Sequence, residues 1–66
     1  MKEKTFSVCF LLDDKEYETF TTLDMDYYPE FVAELGNAFL EGRRFYHNDI
    51  GIDFSLVKYF YIYEEN

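Results

Sequence analysis

The chain has few of the residues that form disulfides or bind metal ions in small proteins. Among its 66 residues are one cysteine, Cys9, and one histidine, His47, and tryptophan is absent. A single cysteine excludes an internal disulfide, and no group of cysteines and histidines has the spacing of a zinc site. We therefore expect neither a disulfide framework nor a metal, and we expect the reducing environment of the cytoplasm.

Basic residues are also scarce. Six lysines and arginines stand against fourteen aspartates and glutamates, which gives a formal net charge of −8. Such a surface repels nucleic-acid phosphates, so direct binding to nucleic acid is disfavoured. No apolar run reaches membrane-spanning length, and the opening MKEKTF lacks the apolar core of a signal peptide. Because 48% of the residues are hydrophobic, we expect a folded, soluble domain rather than a disordered chain.

Aromatic residues, in contrast, are abundant. Eight phenylalanines and seven tyrosines make up 23% of the chain. Each ring can bury roughly 150–250 Å², and a domain of this length buries only about 60% of its unfolded surface. One small core cannot enclose all of these rings. We therefore expect some of them at an interface, with a second copy of the chain or with another protein, where tyrosine is favoured.

The first third of the chain predicts a hairpin. In TFSVCFLL, two sets of side chains alternate, namely Phe6, Val8, Phe10 and Leu12 on one face and Thr5, Ser7, Cys9 and Leu11 on the other. The polar DDKE at 13–16 suits a turn, although it lacks the Asn-Gly or Asp-Gly typical of tight hairpins. YETFTTL at 17–23 is rich in aromatic and β-branched residues and predicts the second strand.

The middle of the chain predicts a helix. Its apolar residues follow the 3.6-residue period of one stripe at Tyr28, Phe31, Val32, Leu35 and Phe39. Asp26 is the expected N-cap, and Pro29 lies in the first turn, where proline is tolerated. Gly36 offers one end for the helix and Gly42 another. Because the stripe continues to Phe39, we predict that the helix reaches Gly42.

The last third predicts a loop and a final strand. Residues 43–55 carry turn residues and leave room for one short extra turn of helix. In LVKYFYIYEE at 56–65, one face would hold Val57, Tyr59, Tyr61 and Tyr63 and the other Leu56, Phe60 and Ile62. One helix covers only one face of a sheet, so an apolar face would stay exposed, which favours pairing. We predict one α+β domain over residues 1–66, β-β-α-β with a three-stranded antiparallel sheet and one main helix, that forms a homodimer.

Nothing in the sequence favours catalysis. A nucleophile needs a nearby base, and Cys9 and His47 are the only such thiol and imidazole. Cys9 lies in an apolar strand, where a buried structural cysteine is the simpler interpretation, and His47 lies in a polar stretch and is interpreted as solvated. No carboxylate pair stands out as general acid and base, and there is no glycine-rich phosphate loop. We predict a protein that is not an enzyme and needs no cofactor.

The acids are concentrated in one stretch. Residues 16–42 contain no lysine or arginine and seven acids: Glu16, Glu18, Asp24, Asp26, Glu30, Glu34 and Glu41. One interpretation is a solvated surface that aids solubility. The other is a negative surface that competes with DNA for a cationic groove, because carboxylates can satisfy the donors that bind phosphates. Tyr27, Tyr28 and Phe31 adjoin these acids and favour the second interpretation as interface anchors, although Phe31 fits a core position equally well.

The segments VCFLLDDKEYETF and PEFVAELGN resemble the small phage inhibitors of uracil-DNA glycosylase. The similarity covers roughly residues 6–37: an apolar strand ending in Leu-Leu, an acidic turn, a tyrosine-rich second strand, and a helix that opens with an acid-Phe pair and finishes in Gly-Asn. The resemblance implies a β-β-α-β homodimer in the host cytoplasm that occupies the DNA-binding surface of the host repair enzyme. In that family, paired helices form an apolar cavity for the residue that the enzyme would otherwise insert into the DNA minor groove.

The resemblance also implies which residues contact the enzyme. The family's helix phenylalanine corresponds to Phe31, and the apolar receptor is expected to comprise Tyr28, Phe31, Val32 and Leu35. The family's helix tyrosine and glutamate fall at Leu35 and Val32, and its second-strand glutamate aligns with Thr19 or Thr21, so these polar contacts are not preserved. Our hypothesis is that neighbouring carboxylates replace them, and the expected acidic contacts are Glu18, Asp26, Glu30 and Glu34.

The sequence therefore predicts an acidic phage protein that inhibits uracil-DNA glycosylase, an enzyme of base excision repair, by mimicking DNA. Two alternatives remain. One is an acidic inhibitor of another DNA-binding protein, such as a CRISPR nuclease. The other is a small structural or regulatory interaction module whose acidity serves only solubility.

Overall fold

The fold is built on a three-stranded sheet with β1 at its centre. The computed structural model describes residues 2–47 and 50–65. Its elements in chain order are β1 (Glu3–Leu12), β2 (Lys15–Asp24), α1 (Tyr28–Glu41), β3 (Arg44–His47), β4 (Ile50–Asp53), a short 3₁₀ helix (Phe54–Leu56) and β5 (Val57–Glu64). The sheet order is β2-β1-β5, all antiparallel, and β3 and β4 form a separate hairpin. The predicted α+β fold, with a three-stranded antiparallel sheet and one main helix, is confirmed.

A tight turn joins β1 to β2. Leu12 pairs with Lys15, so only Asp13 and Asp14 form the loop. Both have positive φ, at 52° and 63°, which is the conformation of the hairpin turn whose twist matches that of the strands. Aspartate adopts positive φ more readily than most residues with a side chain. Asp-Asp can therefore form the two-residue turn for which Asn-Gly is typical.

The start of α1 differs from the prediction by one residue. The N-cap is Tyr27, which makes no side-chain capping bond, and Asp26 lies outside the helix. The Asp26 N–H donates to the Asp24 side chain at 2.9 Å. This local turn holds Asp26 before the cap position, so the predicted capping role of Asp26 is wrong.

The end of α1 lies at Gly42, as predicted. Gly42 has a φ of 65°, and the N–H groups of Gly42 and Arg43 bond to the carbonyls of Phe39 and Ala38. This is a left-handed cap, which glycine adopts without steric cost. Gly36, the alternative end, lies within the helix.

Gly36 and Gly42 are expected to respond in opposite directions to replacement by alanine. Gly36→Ala should raise the free energy of unfolding by about 0.5–1 kcal/mol, because a Cβ there meets nothing within 4 Å and glycine weakens a helix interior. Gly42→Ala should lower it by about 1 kcal/mol, because a φ of 65° strains a residue with a Cβ. Urea denaturation measures both, and a stabilised Gly42→Ala would contradict the left-handed cap.

The stretch predicted as a loop contains a second hairpin. Pairing between β3 and β4 runs from Arg44–Asp53 to His47–Ile50, and the short 3₁₀ helix provides the extra helical turn that was allowed for. The loop prediction is wrong because strands of four residues each give too short an alternation to stand out from turn residues. The buried side chains of this hairpin are Phe45, Ile50 and Ile52.

The core lies between the sheet, α1 and the β3–β4 hairpin. Its buried members are Phe6, Val8, Leu23, Phe31, Leu35, Ala38, Phe45, Ile50, Ile52, Phe54 and Val57. Val57 corrects a prediction, since it was expected on the face of the tyrosines. Leu11 pairs with Tyr59 but Leu12 pairs with Val57, so a β-bulge shifts the alternation and turns Val57 into the core.

Candidate functional site

The side of the sheet that faces away from α1 is rich in tyrosine and glutamate. In register across the strands, β2 contributes Glu16, Glu18 and Phe20, β1 contributes Ser7, Cys9 and Leu11, and β5 contributes Tyr59, Tyr61 and Tyr63. We call the surface formed by Leu11, Glu16, Glu18, Phe20, Tyr59, Tyr61 and Tyr63 the tyrosine–glutamate face. The three tyrosines are 42–44% exposed and Phe20 is 51% exposed. For the tyrosines, the predicted exposed face of the last strand is confirmed.

The two glutamates of this face reach over β1 to the tyrosines of β5. Glu16 accepts hydrogen bonds from the Tyr59 hydroxyl at 3.2 Å and from the Tyr61 hydroxyl at 3.3 Å. Glu18 accepts one from the Tyr63 hydroxyl at 2.5 Å. Because the donors are neutral, these bonds fix the carboxylates in place and leave their negative charge uncompensated.

Ser7 and Cys9 form a buried floor beneath Glu18. The Ser7 hydroxyl donates to Glu18 Oε2 at 2.5 Å, and Cys9 Sγ lies 3.6 Å from the same oxygen. The hydrogen bond from Ser7, followed by that from Tyr63, lowers the pKa of Glu18 below its ordinary 4.5. Glu18 is therefore ionised at neutral pH. Cys9 is 3% exposed, so its predicted burial is confirmed.

The tyrosine hydroxyls are held in their neutral, donating form. Hydrogen bonding to Cys9, partial desolvation and the nearby Glu16 raise the pKa of Tyr61 from 10.0 to about 12. Partial desolvation and Glu16 raise the pKa of Tyr59, and the bond to Glu18 raises that of Tyr63. All three tyrosines therefore remain donors to the carboxylates at neutral pH.

A tyrosine that ionises only near pH 12 is expected in a tyrosinate absorbance titration, and Tyr61→Phe should remove it. The folded pKa lies above the unfolded value of 10.0, so this contribution to stability is complete below pH 10 and is lost as the pH rises towards 12. Urea denaturation at pH about 9 and about 11 measures the loss, which should be smaller in Tyr61→Phe. If every tyrosine ionises together near pH 10, the hydrogen-bonded arrangement is wrong.

No lysine or arginine neutralises the tyrosine–glutamate face in the part of the chain that the structure describes. The ion pairs there are Lys4–Glu64 at 3.3 Å, Arg43–Glu41 at 2.5 Å, Arg44–Asp53 at 3.9 Å and Lys58–Asp14 at 3.0 Å. None of them involves an acid between residues 16 and 34. The charge of Glu16 and Glu18 is thus available to a partner.

Two residues of the predicted apolar receptor, Phe31 and Leu35, lie inside the core, and the receptor role of this group stays a prediction. Phe31 and Leu35 have no accessible surface, and the Phe31 ring meets the Phe45 ring edge-on at 5.6 Å between centroids. Tyr28 and Val32 are half-buried beside them. Phe31, Leu35 and Tyr28 pack in or against the core between α1, the sheet and the β3–β4 hairpin.

His47 is also more enclosed than predicted. It is half-buried, its ring stacks on Tyr27 at 5.3 Å between centroids, and it meets the edge of Phe31 at 5.2 Å. The prediction of a solvated histidine is wrong because His47 lies in β3, which packs against α1, and not in an open loop.

The predicted acidic contacts are divided between two sides of the domain. Glu30 and Glu34 are exposed on α1, and Asp26 is exposed just before it. Glu18 belongs to the tyrosine–glutamate face, on the far side of the sheet from α1. The structure therefore groups Glu18 with Glu16 and not with the acids of the helix.

Sequence reasoning did not single out Glu16 or Ser7. The available signal is the period-two order of Glu16, Glu18 and Phe20 along β2, which puts both carboxylates on one face. Which residues of β1 lie opposite them depends on the length of the turn. Asp-Asp does not specify a two-residue turn, so the register of the hairpin could not be derived from the sequence.

No protein-family model matches the chain, and no curated protein or solved structure matches it either. The resemblance to phage inhibitors of uracil-DNA glycosylase therefore stays a prediction. Within residues 2–47 and 50–65, no group of three or more histidine, cysteine or acidic side chains could hold a metal ion, and no helix is long and apolar enough to cross a membrane. The geometry defines a small α+β domain with an acidic, aromatic face.

Proposed function

We propose that this chain is a protein inhibitor that binds the cationic groove of a DNA-binding enzyme and so excludes DNA, with uracil-DNA glycosylase as the target that the resemblance indicates. The observation that carries the proposal is the pair of fixed, uncompensated carboxylates, Glu16 and Glu18, among exposed aromatic rings. The protein catalyses no reaction in this role and needs no cofactor.

The carboxylates of the tyrosine–glutamate face supply the electrostatic part of the proposal. Glu16 and Glu18 are two residues apart on one strand, so their Cα atoms are separated by about 6.8 Å, which is comparable to neighbouring phosphates along a DNA strand. Glu16 can accept a paired hydrogen bond from an arginine that would otherwise hold a phosphate. Glu18 can accept a further hydrogen bond at Oε1, because its Oε2 already accepts from Ser7 and Tyr63. Because the tyrosines already orient both groups, less side-chain entropy is lost on binding.

The rings of this face supply the apolar part. Tyr59, Tyr61, Tyr63 and Phe20 present aromatic surface on which guanidinium groups can stack and over which ammonium groups can sit. Desolvated aromatic anchors of this kind give an interface most of its affinity. A surface with carboxylates and rings together can therefore engage the arginines and lysines that line a DNA-binding groove.

The remaining acids act over a longer range. Glu30, Glu34 and Asp26 lie on another side of the domain, but they add to a net charge of −8. A field of this sign steers the chain towards a positive groove and raises the association rate at low salt.

The test is a uracil-excision assay with a bacterial uracil-DNA glycosylase and an excess of this protein. We expect excision to stop, the affinity for the enzyme to fall as ionic strength rises, and DNA and inhibitor to exclude each other. Unchanged excision would rule out the glycosylase. Salt-dependent, DNA-competitive binding to a different DNA-binding enzyme would keep the mechanism and change the target, whereas binding that coexists with DNA would contradict mimicry.

A further inference from the structure

β5 is an edge strand that offers its backbone to another strand. Among the described residues it pairs with β1 and with no other strand. Natural proteins protect such edges with proline, inward-pointing charges or a covering segment. β5 contains no proline, and its two charges, Lys58 and Glu64, lie towards its ends, with the bulge beside Lys58. Between these charges, Tyr59, Tyr61 and Tyr63 alternate with Phe60 and Ile62, and no charge or bulge interrupts them. This edge is therefore a template for strand addition.

The hydrogen-bond pattern shows which backbone groups point outward. The Glu65 N–H donates to the Thr5 carbonyl at 2.8 Å. In an antiparallel ladder the bonded positions alternate, so the odd-numbered residues of β5 direct their N–H and C=O groups to β1. The groups that point away from β1 are those of Phe60, Ile62 and Glu64.

The side chains of this edge are incompletely covered. Phe60 and Ile62 pack against the core yet remain half-buried, and the tyrosines on the other face are 42–44% exposed. Apolar surface of this kind is removed from water when a further strand is added beside it.

One antiparallel register matches β5 to a second copy of itself. With Tyr61 opposite Tyr61 of the copy, the other facing pairs are Lys58 with Glu64, Tyr59 with Tyr63, and Phe60 with Ile62. Opposite charges then meet at both ends, apolar side chains meet on the core side, and tyrosines meet on the outer side. A shift of two residues puts Phe60 opposite Glu64 or Lys58 opposite Ile62, and both shifts lose the charge pairs. We propose that the chain forms a homodimer through β5 in the register centred on Tyr61.

The backbone fits this register. Tyr61 directs its N–H and C=O to β1, so the central contact is a non-hydrogen-bonded pair, while Phe60 and Ile62 exchange bonds with their counterparts. The two sheets join into one six-stranded sheet, and the two tyrosine–glutamate faces become continuous. Because β2 is the opposite edge, the two strands that carry Glu16 and Glu18 lie about 24 Å apart. Stacking the faces of two copies would instead bring these carboxylates together.

Exchange of the two charges tests the register. Lys58→Glu alone, or Glu64→Lys alone, places like charges opposite each other at both ends, and the dimer dissociation constant from sedimentation equilibrium should rise roughly tenfold or more. The double variant should return to within about threefold of the unmodified protein. It restores attraction only between copies, because Asp14 and Lys4, the partners of Lys58 and Glu64 within the chain, are unchanged.

A disulfide trap tests the position of the symmetry axis. Tyr61→Cys is placed in a Cys9→Ala background, because Cys9 pairs with Tyr61 across the ladder and would capture the new thiol. A non-hydrogen-bonded antiparallel pair has Cα atoms about 4.5 Å apart, within the range of a disulfide. Oxidation should give a covalent dimer. The matched control is Tyr59→Cys in the same background, whose two cysteines would lie about 14 Å apart along the strands and should not cross-link.

These outcomes decide the proposal without any DNA-binding enzyme, so they are independent of the proposed inhibition. A chain that sediments as a monomer at every concentration overturns the dimer. The register is wrong if the dimer dissociation constant is the same in the single charge variants as in the unmodified protein. It is also wrong if a disulfide forms through position 59 and not through position 61. Circular dichroism of each variant shows whether it is folded, and the disulfide trap carries the test if a charge variant unfolds.

Discussion

Phe31→Ala is expected to unfold the protein or to leave it marginally folded. The Phe31 side chain has no accessible surface, and its ring lies against those of Tyr27, Phe45 and His47. Truncation of a buried phenylalanine costs about 3–5 kcal/mol, and a core in a domain of this size rarely supplies more than about 3–5 kcal/mol in total. Urea and thermal denaturation followed by circular dichroism measure the effect.

Tyr46→Ala is the matched control. Tyr46 is 70% exposed on the β3–β4 hairpin, so its truncation should cost less than about 1 kcal/mol. A receptor role for Phe31 would give the opposite pattern, in which Phe31→Ala keeps the stability of the unmodified chain and loses only partner binding. If Phe31→Ala is stable and unfolds cooperatively, Phe31 does not stabilise the core, and a role in partner binding is favoured instead.

The long, regular segments were predictable because their periods are unambiguous. From Thr5 to Phe10, β1 alternates small and large apolar residues, and α1, with its apolar stripe, continues past Gly36 to a glycine that can adopt a left-handed cap. The exposed tyrosines of β5 follow from the same reasoning, since one helix covers only one face of a sheet. These three features were enough for the fold class.

The short and irregular features were not predictable, for separate physical reasons. The β3–β4 hairpin has strands too short for a period to be recognised. Val57 changes face through a β-bulge, which depends on the pairing between β1 and β5 and not on the alternation within β5. Asp26 loses its capping position to a local turn with Asp24. In each case a contact between segments, or a competing local bond, decides what the pattern leaves open.

The candidate site was predictable only in part. A stripe of Phe31 and Leu35 at helical spacing has the same pattern whether it faces a core or a partner, and only the tertiary packing distinguishes the two. Glu18 was singled out for its charge, but its neighbours, the Ser7 hydroxyl and the Tyr63 hydroxyl, come from strands that are adjacent in space and distant in sequence. The register of the sheet creates that cluster.

The Glu16→Gln/Glu18→Gln double variant is expected to remain folded and to lose at least roughly tenfold in affinity for the DNA-binding enzyme, with a weaker dependence on salt. At position 18 the carbonyl oxygen of glutamine can accept the bonds from Ser7 and Tyr63, because both now reach the same oxygen of Glu18. At position 16 the two tyrosine hydroxyls reach different oxygens, so the glutamine carbonyl can accept from one hydroxyl and its NH2 group can donate to the other. The arrangement of the tyrosine–glutamate face should therefore survive while its charge disappears. Isothermal titration calorimetry at several salt concentrations measures the loss.

The control for this experiment is Glu30→Gln/Glu34→Gln on α1. Both double variants remove two charges from a net charge of −8, so long-range attraction to a positive groove weakens equally and any difference reports where contact is made. Equal losses of affinity would mean that only net charge matters and that the tyrosine–glutamate face makes no contact. A larger loss from the α1 variant would place the partner on the helix side, as the resemblance implies. Because several neutral donors hold Glu16 and Glu18 in place among exposed aromatic rings, we expect the larger loss on the sheet.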